Sequence, residues 1–154
     1  MIKSVRFMDI SSAECFRPKD DYCISILSPG RRVDLKMWRK SRVLSLRFDD
    51  VEGSLRLDDK EKDRQIRPHD SISLNNAKLF NTNMANKVIK FVENIEKSRR
   101  KHNLIIHCEA GRSRSAAIAK YVSKRFNFPF PSDYDYYNLL VYNTLTNILT
   151  DRKA

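Results

Sequence analysis

Apolar positions follow two rhythms along this chain: short runs of strand length, and longer stretches at helical spacing. Tyr22-Cys23-Ile24-Ser25-Ile26-Leu27 is a compact apolar run closed by Ser28-Pro29-Gly30, the pattern of a strand ended by a turn. Val43-Leu44-Ser45-Leu46-Arg47-Phe48 alternates and stops at Asp49-Asp50, which predicts a second strand. Leu104-Ile105-Ile106 predicts a third, apolar enough to be buried on both faces. Phe80, Met84, Val88, Phe91, Val92 and Ile95 recur at helical spacing ahead of the basic cluster Arg99-Arg100-Lys101. Ser115 to Phe126 is Ala-rich and carries Ile118, Tyr121 and Val122, a second helix. Pro129 and Pro131 break the chain before a last helix with Tyr137, Val141, Leu145 and Ile148 on one side. The charged stretch 51–71 has no period and reads as a surface loop.

Strands alternating with helical segments predict an α/β fold: one domain, 1–154, with a central, mostly parallel sheet flanked by helices. Neither an internal repeat nor a Gly/Ser or Pro linker divides it. Parallel sheets bind ligands beyond the carboxyl ends of their strands. One segment at such a place is rich in chemistry: His107-Cys108-Glu109-Ala110-Gly111-Arg112-Ser113-Arg114-Ser115, between the third strand and the Ala-rich helix.

A loop running from a strand into a helix N-terminus presents its N–H groups as a concave nest at the positive end of the helix dipole. The amides of Glu109, Ala110, Gly111, Arg112, Ser113 and Arg114 would surround phosphoryl oxygens, with Gly111 easing the curvature. Arg114 would close the loop and fork onto two oxygens. The same field favours a thiolate at Cys108. His107 would orient the loop through hydrogen bonds. Ser115 is placed to hydrogen-bond the sulfur and help it leave.

The totals narrow the setting. A net charge of +11 points to anionic partners: phosphorylated molecules, nucleic acid or an acidic lipid surface. Three cysteines, Cys15, Cys23 and Cys108, make no disulfide framework, and no CxxC pair suggests zinc. Residues 1–10 carry charges through their apolar stretch and fail as a signal peptide, and no run approaches a membrane span. A reducing cytoplasm is the expected setting.

The loop 107–115 resembles the HCxxGxxR(S/T) signature of cysteine-dependent protein phosphatases, and its Ala-Gly and Ser-Arg-Ser details look most like the dual-specificity branch, including small bacterial and phage-encoded members. Neither other cysteine has an arginine six residues on: Asp21 follows Cys15 and Pro29 follows Cys23. The resemblance covers about the last two-thirds of the chain and is strong at 104–122. It implies a dual-specificity-phosphatase-like fold, a Cys108 phosphoenzyme intermediate, phosphate binding by Arg114 and the loop amides, no metal and no cofactor. It also implies a general acid on a separate loop, usually after the strand neighbouring the nucleophile strand. Asp50, just after the strand at 43–48, is the choice by position, with Asp49 the near rival and Asp70 the distant one. Asp50 lies further before the cysteine than is usual in the family, an excess assigned to an insertion at 51–71.

Other readings stand beside this one. The same chemistry would serve a phosphoinositide, a phospholipid or an RNA 5′-phosphate, although RNA-directed relatives usually carry His-Gly and Asn-Arg-Thr in the loop. A phosphate-binding interaction module without turnover is the non-enzymatic alternative. Cys108 is otherwise a buried structural cysteine, His107 a structural histidine, and Asp49-Asp50 a turn with solvated acids. Arg112 is expected to face solvent near the mouth. His69 and His102 read as surface residues, and Tyr134, Tyr136, Tyr137 and Tyr142 as helix packing. The dense basic run 31–42 reads as a solvated face or an anion-binding patch, with Trp38 within it a core anchor.

Overall fold

Four strands form one all-parallel sheet in the order β1-β4-β2-β3. They are β1 (Ile2–Met8), β2 (Tyr22–Leu27), β3 (Val43–Arg47) and β4 (His102–His107). The helices are α1 (Ile10–Cys15), α2 (Thr82–Lys97), α3 (Arg114–Phe126) and α4 (Leu139–Lys153). The computed structural model describes residues 1–51 and 77–153, with side chains to 148.

Alternation along the central strands divides the core in two. Ile24 and Ile26 of β2, with Leu104 and Ile106 of β4, face the main core, filled by Val88, Ile89 and Val92 of α2, Ile118 and Val122 of α3, and Val141 and Leu145 of α4. Cys23 and Ile105 face the other way, beneath Trp38. Trp38 stacks on Phe16 with centroids 5.6 Å apart, so it anchors a second, smaller core. β4 is buried on both faces, as its apolar run requires.

Caps set the helix ends. The Asn81 side chain accepts from the Met84 N–H at 3.0 Å, so α2 begins at Thr82 and Phe80 stays outside it, edge-on to Phe48. α3 stops at Asn127, whose left-handed backbone (φ 64°) ends the helix. Asn138 caps α4 through the Val141 N–H, which leaves Tyr137 in the preceding loop.

Several expectations change. β1 and α1 were absent from the pattern, because Lys3 and Arg6 break the apolar rhythm of β1, an edge strand among the described residues. β3 does not neighbour β4, the strand that leads to Cys108: β2 lies between them. His102 is not a surface residue. It is 3% exposed at the start of β4, where Nδ1 meets the Asp20 carbonyl and Nε2 the Ser98 hydroxyl. Tyr134 and Tyr136 lie in the loop before α4 rather than on a helix. The expected loop at 52–71, with His69 and Asp70, lies outside the described residues.

Candidate active site

β4 delivers His107 and Cys108 to the carboxyl edge of the sheet, and the chain then curves through 109–113 into α3. The loop is propped from β1. Cys108 N–H donates to the Met8 carbonyl at 3.3 Å, and Ile10 N–H to the Glu109 carbonyl at 3.2 Å. Gly111 has φ 68° and lies directly against this turn. A Cβ there would stand 2.5 Å from the Met8 carbonyl carbon and closer still to the Asp9 nitrogen. Glycine is therefore required twice, for conformation and for space.

Two groups converge on the Cys108 sulfur. The Gly111 N–H points at Sγ from 3.2 Å, and Ser115 Oγ lies 3.1 Å away. Cys108 itself is 2% exposed.

His107 is wholly buried, with Nδ1 3.2 Å from the Cys108 carbonyl and Nε2 2.6 Å from Ser25 Oγ, its partner across β2 and β4. A carbonyl only accepts, so Nδ1 carries the proton and Nε2 accepts from Ser25. Burial holds the imidazole below its ordinary pKa and outweighs the opposing hydrogen bond to Cys108. The unfolded chain therefore takes up a proton near pH 6.5 that the folded chain refuses. Stability is full above that pH and falls as pH drops below it, by at most about 1.4 kcal/mol per pH unit. Urea denaturation at pH 7.5 and 5.5 is expected to register this loss, reduced in His107→Gln. An equal loss in both proteins would assign it to another group.

Arg114, 4% exposed, is held by three acceptors. Nη1 donates to the Phe48 carbonyl (2.9 Å) and Ser28 Oγ (3.0 Å), and Nη2 to Glu109 Oε2 (2.7 Å). These use three of the five guanidinium donors. Among the described residues one Nη2 hydrogen remains, and buried Nε has no partner. An oxyanion is the ligand that such a planar pair of donors accepts.

Glu109, read from the sequence only as an amide donor, braces the loop with its carboxylate. It bridges Arg114 and Arg31, the latter at 2.8 Å, and accepts from Ser28 at 3.1 Å. Burial pushes its pKa up, but the Arg114 hydrogen bond and charge, with Ser28 and Arg31, outweigh this and leave it below the ordinary value.

The two adjacent acids part company. Asp49 is 6% exposed, and its Oδ2 accepts from the Lys78 N–H at 2.8 Å, so it ties two backbone segments together. Asp50 reaches the loop. Its Oδ1 accepts from Ser113 Oγ and from Asn138 Nδ2, both at 2.8 Å, while Oδ2 has no hydrogen-bond partner among the described residues. β3 is two strands from β4, yet Asp50 arrives because Ser113 and the α4 cap Asn138 hold it there. Nothing in the sequence singled out Asn138.

The 131–138 loop flanks the same edge. Tyr134 donates to the Arg112 carbonyl at 2.6 Å and packs edge-on to Phe7, Phe130 and Tyr136. Burial raises its phenol pKa, and the charge of Cys108 adds to the rise. Arg112 faces solvent. Ala110 is likewise exposed on the loop. Among the described residues no cluster of His, Cys, Asp and Glu is arranged to hold a metal ion, and no helix is long and apolar enough to cross a membrane.

No protein-family model matches the chain, and no match to a curated protein was found.

Proposed function

We propose that this chain is a cysteine-dependent phosphate monoester hydrolase with a dual-specificity-phosphatase-like fold, acting on phosphoproteins through a thiophosphate on Cys108. The observation that carries the reading is the convergence of the Gly111 N–H and Ser115 hydroxyl on Cys108 Sγ, beside an arginine with unused donors. The resemblance of the 107–115 loop to the phosphatase signature points the same way.

In the first step the Cys108 thiolate attacks phosphorus, an S–P bond forms and the P–O ester bond breaks. Asp50 gives its proton to the departing oxygen. In the second step the Asp50 carboxylate takes a proton from water, whose oxygen attacks phosphorus and releases phosphate, and the sulfur leaves as thiolate. Ser115 stabilises that thiolate by its hydrogen bond. Arg114 and the loop amides hold the phosphoryl oxygens, whose charge spreads in the transition state.

An aromatic rim at Tyr134 and Tyr136, the latter 64% exposed, suits the ring of phosphotyrosine. The dual-specificity-like details of the 107–115 loop favour phosphoserine and phosphothreonine as substrates too. The proposed setting is the cytoplasm.

The test is hydrolysis of p-nitrophenyl phosphate without added metal, inhibited by vanadate. Absence of activity from mildly acidic to neutral pH would overturn the enzyme reading. Within it, Asp50→Ala is expected to lower turnover by roughly 10²–10⁴-fold. Asp49→Ala is expected to lower the thermal midpoint more than the turnover of the folded protein, since it removes the Lys78 tie. Wild-type rates in Asp50→Ala would dismiss it as the acid.

A further inference from the structure

A cavity of about 470 Å³ lies at the opposite edge of the sheet from the Cys108 loop. Its walls come from the segments that lead into β2, β3 and β4. β4 separates the two edges: His102 begins it beside the cavity and Cys108 follows its end, roughly 20 Å away at about 3.3 Å per residue. The volume is that of a small-molecule site.

Four cationic side chains, Lys19, Arg39, Arg42 and Arg100, line it. Two acids, Asp20 and Asp21, line it as well, so the lining keeps a net charge of +2. Asp20 pairs with Arg42 at 3.0 Å and lies 3.4 Å from His102, while Asp21 accepts from the Lys19 N–H and from Asn103. Arg42 is further fixed by its guanidinium lying 4.4 Å from the Tyr22 ring centroid. Lys19, Arg39 and Arg100 have no anionic partner among the described residues. Cations drawn from distant parts of the sequence into one concavity, in excess of its acids among the described residues, repel one another, and an anion bound among them removes that cost. Trp38 lines the same cavity, and its buried indole N–H has no partner among the described residues.

We propose that this cavity binds a small organic polyphosphate, such as a nucleoside triphosphate, at a site separate from the Cys108 loop. Two arginines supply planar forks for phosphate oxygens and Lys19 a point charge. The concave shape favours a compact ligand over an extended polyanion, which would require a groove running across the surface. Met37, 54% exposed at the wall, offers apolar contact to the organic portion.

Trp38 is the chain's one tryptophan, so its fluorescence reports on this cavity alone. Titration with ATP and with inorganic tripolyphosphate is expected to give a saturable, one-to-one change. The double variant R39Q/R100Q, altered only at exposed side chains, is expected to weaken binding by roughly tenfold or more, with an unchanged thermal midpoint. Absence of a saturable change up to millimolar ligand would overturn the proposal. Equal affinity in the double variant would do so as well. So would tighter binding of single-stranded RNA that strengthens with oligomer length, which would make the site a nucleic-acid surface. None of these readouts depends on phosphatase activity, so this proposal and the Cys108 reading fail separately.

Discussion

Cys108→Ser is expected to reduce p-nitrophenyl phosphate hydrolysis to background while the protein still binds tungstate, a phosphate analogue. The two halves of that result rest on different atoms. The proposed turnover needs the sulfur nucleophile, which the Gly111 N–H and the Ser115 hydroxyl meet at 3.2 and 3.1 Å. A serine hydroxyl in the same place stays protonated, since no adjacent base is positioned to activate it: neutral His107 is turned away, with its nitrogens on Ser25 and the Cys108 carbonyl. Anion binding rests on the loop amides and Arg114, and the substitution exchanges a single atom. Calorimetric titration with tungstate checks the second half. Residual turnover near the wild-type rate would remove Cys108 from the chemistry, and loss of tungstate binding would mean that the sulfur itself organises the loop.

Arg114→Lys is expected to have the second largest effect, on activity and stability together. A lysine keeps the charge but presents one ammonium where the guanidinium reaches the Phe48 carbonyl, Ser28 and Glu109 at once. Buried acceptors left without a donor cost roughly 1–3 kcal/mol; Glu109, about a quarter exposed and still paired with Arg31, moderates that cost. Loss of the planar donor pair removes stabilisation of the transferring phosphoryl group, expected to lower kcat by roughly 10²–10³-fold. Kinetics and a urea melt on the same preparation separate the two effects. Wild-type kcat with lowered stability would make Arg114 a structural brace alone.

Acid weakens the same brace. Glu109 has a depressed pKa, so its contribution is complete above the ordinary carboxylate range and is lost as pH falls through its folded value. That window lies below the one set by His107, which opens near pH 6.5.

The local signals in the sequence carried the fold far. Apolar runs marked β2 and β4, because a strand buried on both faces has few polar positions to blur it, and alternation marked β3, whose Ser45 and Arg47 are exposed. Helical spacing marked α2, α3 and α4 to within a few residues, and the caps Asn81 and Asn138 corrected their starts. β1 escaped because its charged residues belong to an edge strand, and His102 was misread because its charged neighbours in sequence are not its neighbours in space.

What the sequence by itself determined is the loop: a Cys, a Gly and an Arg spaced within nine consecutive residues, between a buried strand and a helix start. Those spacings are local, and a tight turn leaves the chain few other ways to run. Only the tertiary structure decided which groups surround it. Ser25, Ser28, Phe48, Asp50 and Asn138 come from three other stretches of the chain, brought together by strand order and packing rather than by spacing along the chain. The distinction between Asp49 and Asp50 is the clearest instance. They are adjacent in sequence, yet where the chain turns beyond β3 one carboxylate meets the Lys78 N–H and the other Ser113.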